Sequence, residues 1–331
     1  MKSLILPPLS TLYGAVTRTR LALYRRGTFQ TTKLDRPVIS VGNITAGGTG
    51  KTPLVEWVAK TIARSGKKVC ILTRGYGREN PQQQVVVSDG TTILATPAEA
   101  GDEPYLLATN LLGYAAVISN ADRIGAGRYA IETFNTECFV LDDGFQHLRL
   151  ARDLNIVTID AMNPWGGGQL LPYGRLREPV AGLIRADCIV LTRCDQVENR
   201  EDLRGQIRSL IRGLPLFESS MRAVNAPLTT VPVAAFCAVG NPQSFFEQLR
   251  KHGYELILKK AFADHHSYTQ KDVDTLIATA ARAGAKGLVT TAKDAVKLRS
   301  LSFSLPWHVF EIEIEIENES ALAELIRVAS G

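Results

Sequence analysis

The chain has 331 residues, of which 45% are hydrophobic and 21% are charged, and its formal net charge at pH 7 is +5. This length predicts roughly two domains with enough apolar residues for packed cores, and the composition excludes a mainly disordered protein. The small positive charge suits an anionic substrate or membrane surface, but it does not by itself indicate a nucleic-acid-binding protein.

The N-terminal segment, residues 1–35, is predicted to contain a basic amphipathic helix over residues 9–26. The short apolar stretch before it is followed by Pro7 and Pro8, which argues against a signal peptide or a membrane span. Four apolar side chains would lie near one face of the helix: Leu9, Leu12, Val16 and Leu23. Such a helix could lie in the interface of an anionic membrane, or it could pack on the protein's own core with a solvated basic edge. The sequence leaves both alternatives open.

A glycine-rich segment between an apolar strand and a helix is typical of a phosphate-binding P-loop. Its glycines lack the Cβ that would keep a triphosphate away from the backbone N–H groups, and Lys51 can reach the β and γ phosphates. The Thr52 hydroxyl can bind Mg²⁺. Thr45 stands where the first glycine of the usual motif is expected. We predict that the nucleotide contacts the whole loop: Thr45, Ala46, Gly47, Gly48, Thr49, Gly50, Lys51 and Thr52.

Apolar strands alternate with helices from the P-loop to about residue 222. Strands are predicted at residues 69–72, 115–119, 137–141, 154–160 and 188–192, with a hairpin at residues 84–94. This order predicts a P-loop NTPase-like α/β domain over residues 36–224, built on a doubly wound parallel sheet. The five cysteines mostly lie in apolar segments and lack metal-type spacing, so we expect reduced core residues of a cytosolic protein.

Three charged residues are predicted at or near the edge of this sheet where ligands bind. Arg74 follows the second strand and could meet a phosphate, or it could be a solvent-exposed arginine in a glycine-rich turn. Asp102 precedes a helix that begins near Tyr105, and Arg123 starts a helix over residues 122–134. Asp102 could cap its helix or accept the proton of an attacking hydroxyl group, and sequence position does not separate these roles.

Asp142 and Asp143 end another apolar strand, in the manner of a Walker B motif. An Asp at the end of a strand that neighbours the P-loop can hold Mg²⁺ beneath the β and γ phosphates, because this ion prefers oxygen ligands. Adjacent residues of a strand point to opposite sides, so only one of the two is expected to face the metal directly.

A long loop, residues 163–179, contains Trp, Leu, Tyr and Arg side chains and suits a substrate with apolar and anionic parts. A change of composition near residues 225–232 then indicates a linker. Residues 225–331 are predicted to form a second, smaller α/β domain with a closing C-terminal helix. Its strands are predicted at residues 233–239, 255–258, 287–291 and 309–316, and the alternating acids of the last strand should be solvated.

Two stretches of the smaller domain are candidates for the wall of a cleft. Asp264, His265 and His266 lie in a predicted loop. Neighbouring histidines rarely converge on one metal ion, so a histidine that orients a carboxylate is the simpler interpretation. A polar loop histidine without function is the alternative. Lys293 and Lys297 follow the end of a strand and bring two cations to the same region.

Taken together, these residues resemble the tetraacyldisaccharide 4′-kinase family, the lipid A 4′-kinases of Gram-negative bacteria. The resemblance covers nearly the whole chain and rests on residues 41–53, 73–77, 101–104, 141–147, 176–179, 264–265 and 291–298. It implies ATP-dependent phosphorylation of the 4′-hydroxyl of a tetraacyldisaccharide 1-phosphate, with Mg²⁺ as cofactor. It also implies a peripheral protein at the cytoplasmic face of the inner membrane, with a lipid substrate and without nucleic-acid or protein partners.

The family's functional residues map onto particular positions of this sequence. The resemblance implies that Asp102 is the base and that His265 tunes and orients it. Asp142 and Asp143 match the Mg²⁺-associated acids, and the lysine and threonine of the P-loop match the nucleotide contacts. Four further motif residues are expected to line the substrate or phosphate site: Arg74, Arg123, Arg177 and Glu178.

Three other functions fit parts of the sequence. A switch or partitioning ATPase would couple hydrolysis to assembly, but such proteins often carry a lysine where this chain has Ala46. A soluble small-molecule kinase would leave the basic helix and the apolar loop unexplained. A non-enzymatic lipid-binding protein would not need Lys51, Thr52 and Asp142 together.

Overall fold

The computed structural model describes residues 2–76, 78–211, 213–224, 231–264 and 266–331. The strands are β1 (Val38–Asn43), β2 (Val69–Thr73), β3 (Val85–Ser88), β4 (Ala115–Ser119), β5 (Cys138–Asp142), β6 (Leu154–Asp160), β7 (Cys188–Thr192), β8 (Leu216–Ala223), β9 (Val233–Cys237), β10 (Leu256–Ala261), β11 (Gly287–Thr291), β12 (Trp307–Phe310) and β13 (Ile312–Ile316). The α-helices are α1 (Lys2–Arg25), α2 (Lys51–Arg64), α3 (Pro97–Ala100), α4 (Asp102–Asn110), α5 (Arg123–Phe134), α6 (Arg200–Leu210), α7 (Pro242–Lys251), α8 (Gln270–Arg282), α9 (Ala292–Leu298) and α10 (Glu319–Ser330). Short 3₁₀ helices cover Val180–Arg185 and Cys194–Gln196.

The larger sheet places the P-loop strand near its centre. Among the described residues it contains nine strands in the order β13-β8-β7-β6-β1-β5-β2-β4-β3. Its neighbouring strands are parallel except at the two edges, where β3 pairs antiparallel with β4 and β13 with β8. In the register of β1, Val41 lies opposite Asp142 of β5. The P-loop therefore leaves the sheet beside the two predicted metal-binding acids, at the edge where ligands bind in open α/β sheets.

Helices cover both faces of this sheet, which confirms the predicted doubly wound α/β fold. On one face α2, α4 and α10 bury Leu54, Leu107 and Leu322 against strand residues such as Ile71. The other face is covered by α5 beside β2, β4 and β5, and by α6 beside β6 and β7. All five cysteines are buried thiols, as expected for reduced core residues.

A smaller parallel sheet follows, in the order β10-β9-β11-β12. Phe245 and Leu249 of α7 pack on one of its faces, and Val273 and Leu276 of α8 pack on the other. The predicted linker at residues 225–232 lies mostly outside the described residues. A short helix, α9, was not predicted; it follows β11 and packs against α4. The larger sheet with its covering helices is called the larger unit below, and the smaller sheet with α7, α8 and α9 is called the smaller unit.

The predicted strand over residues 309–316 is divided in the structure. Its first part is β12 in the smaller sheet, whereas β13 pairs with β8, with Ile314 opposite Met221. The chain thus returns to the larger sheet, where α10 packs on α2. The alternating pattern correctly predicted buried Ile314 and Ile316 and solvated acids, but Ile312, which it also placed on the buried face, is exposed. It could not identify the partner strand, because that pairing joins segments about 90 residues apart in sequence.

The N-terminal helix begins earlier than predicted, because α1 continues through Pro7 and Pro8. Proline has a helix-compatible φ, and the hydrogen bonds that it removes lie near the N-terminal end of the helix. No helix in the described ranges combines the length and apolar character needed to cross a membrane.

One side of α1 packs on the long loop at residues 163–179. Ser10 Oγ donates a hydrogen bond of 2.8 Å to the Leu170 carbonyl, and Tyr13 donates one of 2.8 Å to the Arg177 carbonyl. A Cβ at Gly14 would lie only 2.7 Å from Leu170 Cδ1, so the contact is close. A second side of α1 exposes Leu9, Leu12 and Val16 to solvent.

Candidate active site

Asn43, the last residue of β1, forms hydrogen bonds that stabilise the P-loop. Its side-chain amide donates to the Thr45 carbonyl at 2.7 Å and to Thr49 Oγ1 at 2.9 Å. Lys51 Nζ, at the start of α2, donates to Asn43 Oδ1 at 3.2 Å. Asn43 therefore holds both the loop and its lysine. Asn43 lies in the family motif at residues 41–53, but no role was predicted for it from the sequence.

The entrance to the P-loop explains why threonine can replace the usual glycine. Thr45 is buried and forms an antiparallel bridge with Leu176 of the long loop, while Ala46 N donates to the Arg175 carbonyl at 2.6 Å. An extended residue in a bridge does not need the conformational freedom of glycine. Gly47 and Gly50 do need it, because their φ angles are +113° and +73°.

Asp142 and Asp143 lie beside Lys51 but have different surroundings. Asp142 is buried and accepts a hydrogen bond of 2.9 Å from Thr73 Oγ1 of β2. Asp143 has a φ of +51°, accepts two bonds of 2.7 Å from Arg177, and lies 3.4 Å from Lys51 Nζ. The structure thus brings the predicted Walker B acids, the P-loop lysine and Arg177 together.

The two acids differ in charge behaviour as well. Burial, Asp143 and Glu103 raise the pKa of Asp142 to about 6, against the weaker opposing effects of Lys51 and Thr73. Burial also acts to raise the pKa of Asp143, but Lys51 and Arg177 outweigh it, so this pKa is lowered. The protein alone therefore provides too little positive charge to stabilise the ionised form of Asp142, and a cation bound beside this carboxylate would provide that charge.

Arg74 and Arg123 lie at the ends of neighbouring strands. Arg74 follows β2 and is exposed. Arg123 follows β4 and is buried, and burial lowers its pKa to about 10, while Asp142 acts in the opposite direction and Arg74 adds to the lowering. Both arginines are therefore close enough to influence the charge at the site, and an anionic ligand would relieve their mutual repulsion.

Glu178 is placed differently from the other predicted substrate residues. Its carboxylate is buried, pairs with Arg185 at 2.8 Å and accepts a hydrogen bond of 2.7 Å from Gln146 Nε2. Gln146 also donates to the Asn43 carbonyl at 2.8 Å. These contacts connect Glu178 to the base of the P-loop through Gln146.

Asp102 is the first residue of α4, and the N-cap position is Gly101, which makes no side-chain cap. Its carboxylate instead pairs with Lys297 Nζ of α9, at 3.0 Å. Its neighbour Glu103 pairs with Lys293 at 3.2 Å. The two predicted cations of the smaller unit therefore face the carboxylates of the larger unit. His265, the predicted partner of Asp102, lies outside the described residues.

The neighbouring histidine, His266, serves the local structure. Its ring stacks on Phe262 and lies 3.3 Å from Asp272 Oδ2, in the capping box of α8. In the described ranges, no group of three or more His, Cys, Asp and Glu side chains could hold a metal ion. Mg²⁺ is typically bound through one or two carboxylates and substrate phosphates instead of a complete protein cage.

The donor set fits such an ion. Asp142 supplies a carboxylate with a raised pKa, Asp143 lies next to it, and Thr52 lies in the first turn of the P-loop helix. A phosphate cradle, neighbouring strand-end acids and a further carboxylate at a helix start define a P-loop phosphotransferase.

Comparison with known proteins gives the family. Residues 2–330 match the family "Tetraacyldisaccharide-1-P 4′-kinase". The Tetraacyldisaccharide 4′-kinase of Geobacter metallireducens is 44% identical over 299 residues, which cover 89% of this chain and 88% of that protein. That of Geobacter sulfurreducens is 43% identical over 311 residues, covering 92% and 87%. The chain belongs to this family, and the predicted family is confirmed.

A solved structure supports the same conclusion. The "apo" form of LpxK from Aquifex aeolicus, in complex with ATP, is 32% identical and has a TM-score of 0.78. The similarity covers 98% of each chain, and therefore includes both sheets.

We predict that Asp142→Asn stabilises the nucleotide-free and metal-free protein at neutral pH. Because the pKa of Asp142 is raised from 3.8 to about 6, its ionisation opposes folding as the pH rises through this interval. Asparagine keeps an acceptor for Thr73 without the charge. In urea unfolding with EDTA, we expect the variant to gain about 3 kcal/mol near pH 8 and almost nothing near pH 3.

Asp143→Asn provides the matched control for this prediction, because the pKa of Asp143 is lowered and its charge favours folding. This variant should therefore lose stability near pH 8. Equal shifts of the two variants in the same direction would contradict the assigned environments.

Proposed function

We propose that this chain transfers the γ-phosphoryl group of ATP to the 4′-hydroxyl of a tetraacyldisaccharide 1-phosphate. The enzyme class and cofactors, an ATP-dependent phosphotransferase that uses Mg²⁺, are confirmed by membership of the family. The observation that carries the assignment of residues is that both groups lie at strand ends of one sheet. Lys51 Nζ lies 3.4 Å from Asp143 Oδ1, and Ala100, two residues before Asp102, accepts a hydrogen bond of 3.2 Å from Ser119 Oγ at the end of β4. A phosphate donor and an acceptor base thus share one edge of the sheet.

The P-loop would bind the phosphates through its backbone N–H groups and Lys51. Thr52, Asp142 and Asp143 would hold Mg²⁺, which neutralises charge on the β and γ phosphates. Lys51 now contacts Asn43 and Asp143 and would turn toward the nucleotide. Arg123 and Arg177 would add positive charge around the transferred group, and the exposed Arg74 could meet a phosphate of either substrate.

Asp102 would accept the proton of the attacking hydroxyl group. The hydroxyl oxygen forms a bond to the γ-phosphorus as the bond to the ADP oxygen breaks, and ADP leaves with that electron pair. Because such transition states are loose, positioning contributes more than proton removal, and the proton moves late. His265 would orient the carboxylate, as the family resemblance implies. Seating of the smaller unit on α4 would exclude water, which otherwise hydrolyses ATP.

For the domain organisation, we propose a membrane-facing segment over residues 1–35 and a P-loop kinase domain over residues 36–224 that is completed by β13 and α10. Residues 231–310 would form the smaller unit. Support comes from the pairing of β13 with β8 and from the packing of α10 on α2.

The lipid would reach the site from the membrane surface beside α1. This helix contacts the long loop, and the long loop contacts the entrance of the P-loop. The exposed strip of Leu9, Leu12 and Val16 offers an apolar surface for the interface of the inner membrane, at its cytoplasmic face. The protein would therefore bind peripherally, with the basic residues of α1 near anionic headgroups.

We predict that Leu12→Asp weakens binding to anionic vesicles by about tenfold to a hundredfold, because burying one leucine contributes roughly 1.5–3 kcal/mol. The side chain of Leu12 is 62% exposed, so folding should not depend on it. The measurement is flotation with vesicles of phosphatidylglycerol and phosphatidylethanolamine.

Val328→Asp is the matched control, because Val328 is 67% exposed on a different helix, α10. Equal loss of vesicle binding in both variants would show that α1 has no special part in membrane association.

The kinase assignment is tested by incubating the full chain with γ-labelled ATP, Mg²⁺ and a detergent-dispersed tetraacyldisaccharide 1-phosphate. We expect one labelled lipid product, carrying its new phosphate at the 4′ position by mass spectrometry and NMR. Release of inorganic phosphate without labelled lipid would instead support a switch ATPase.

A further inference from the structure

The proposed base is held by a lysine of the smaller unit. Lys297 Nζ lies 3.0 Å from Asp102 Oδ2 and donates a second hydrogen bond of 3.2 Å to the His266 carbonyl. Only 9% of the Lys297 side chain is exposed. The ammonium group is therefore fixed between two acceptors in a mostly dry position, unlike an ordinary surface ion pair.

The helix that carries Lys297 is itself firmly anchored. Asp294 of α9 is completely buried, and its carboxylate accepts from Ala238 N at 3.0 Å and from Thr291 Oγ1 at 2.7 Å. Leu298, the last residue of α9, lies in the core of the smaller sheet. The position of Lys297 is thus set by the framework of the smaller unit, and flexibility of α9 is restricted.

Neighbouring contacts across the same surface differ in character. Lys293 pairs with Glu103, a side chain that is 50% exposed, and Arg299 donates to the Tyr105 hydroxyl at 2.9 Å. These contacts hold α9 against α4. Of the two lysine–carboxylate pairs, Lys297 with Asp102 is the more deeply buried. Asp102 is also the carboxylate that accepts the substrate proton in the proposed mechanism.

We propose that Lys297 is a positioning residue for Asp102. A charge-assisted bond to one carboxylate oxygen sets the orientation of the carboxylate plane, and an ionised carboxylate can accept further bonds from a hydroxyl group. In this role Lys297 exchanges no proton with the substrate. Because Lys297 belongs to the smaller unit, the base is correctly oriented only when that unit is seated on α4. This inference rests on the proposed function of Asp102.

The test compares Lys297→Met, Lys297→Arg and the matched control Arg299→Met in steady-state transfer assays. We expect Lys297→Met to lower kcat by about tenfold to a hundredfold, because the catalytic carboxylate would lose its orientation. The KM for ATP and the KM for lipid should each change less than about threefold. Lys297→Arg should restore most of the loss, because it keeps the charge. Arg299→Met removes a contact at the same surface and should retain activity within about threefold.

A double-mutant cycle separates action through Asp102 from other roles. If Lys297 acts through the base, the variant with both Asp102→Asn and Lys297→Met should be no slower than Asp102→Asn alone. The inference would be overturned if the double variant were slower than Asp102→Asn by the full factor that Lys297→Met causes alone. A raised KM for lipid with unchanged kcat would also overturn it, and would assign Lys297 to substrate binding. Unchanged affinity for a fluorescent ATP analogue verifies that the variants are folded.

The same set distinguishes failure of this inference from failure of the proposed function. Full activity of Asp102→Asn would remove Asp102 from the mechanism. Loss of activity in Asp102→Asn together with near-native activity in Lys297→Met would refute only the role of Lys297.

Discussion

Replacing Asp102 by asparagine is expected to lower kcat for transfer to the lipid by about 10²- to 10⁴-fold, the usual contribution of a general base. Asparagine preserves the shape of the side chain and an acceptor for Lys297, which lies 3.0 Å away, but it cannot accept a proton at neutral pH. Because Asp102 starts α4 and the P-loop lies between β1 and α2, the affinity for ATP should change little.

The control for this variant is Asp202→Asn, which removes a carboxylate from the first turn of α6. Like Asp102→Asn, this variant removes one negative charge and its interaction with a helix dipole, but in α6 instead of α4. Its transfer rate should remain near that of the native protein. A comparable loss in both variants would indicate a general effect on stability, and retention of activity in Asp102→Asn would remove this residue from the mechanism.

Lys51→Met is the second variant with a large expected effect, a loss of about 10²- to 10³-fold in kcat. The ammonium group lies between Asn43 and Asp143, at 3.2 Å and 3.4 Å, and only 14% of the side chain is exposed. From this position it can reach phosphates in the P-loop and stabilise the charge that develops during transfer. Methionine keeps much of the apolar length but provides no charge or donor.

Steady-state kinetics with Lys60→Met as control test this prediction. Lys60 belongs to the same helix, α2, but its ammonium group lies over the Tyr114 ring, 5.7 Å from the centroid. A loss confined to Lys51→Met would support its role at the phosphates. Similar losses in both variants would reflect damage to α2.

The pattern of strands, helices and glycines was sufficient to predict the P-loop and most parallel strands of the larger sheet, namely β1, β2, β4, β5, β6 and β7, whereas β8 was not predicted. These features depend on local order: an apolar strand, a loop with glycines at positive φ, and a helix that begins at Lys51. Asp142 and Asp143 were found for the same reason, since they end a strand, and parallel strands bring their carboxyl ends to one edge. Their different charge environments were not predictable, because Thr73, Arg177 and Glu103 come from distant segments.

Long-range pairings also explain the features that the sequence did not predict. The acids and isoleucines of β13 are typical of an edge strand, but nothing local identifies β8 as the partner. Glu178 was predicted to line the substrate or phosphate site, and the pairing of its buried carboxylate with Arg185 and Gln146 was not predicted. Lys297 was recognised as a cation near the cleft, but its contact with Asp102 depends on how the smaller unit packs against α4.

The proposed phosphoryl transfer is tested most directly by the distribution of label from γ-labelled ATP between lipid and inorganic phosphate, measured in the same reaction for the native chain and Asp102→Asn. We expect the native chain to label one lipid for each ADP formed. We expect Asp102→Asn to lose about 99% or more of the lipid label while binding ATP as before. Label that appears only as inorganic phosphate in the native chain, or lipid labelling that persists in Asp102→Asn, would contradict the proposed transfer with Asp102 as base.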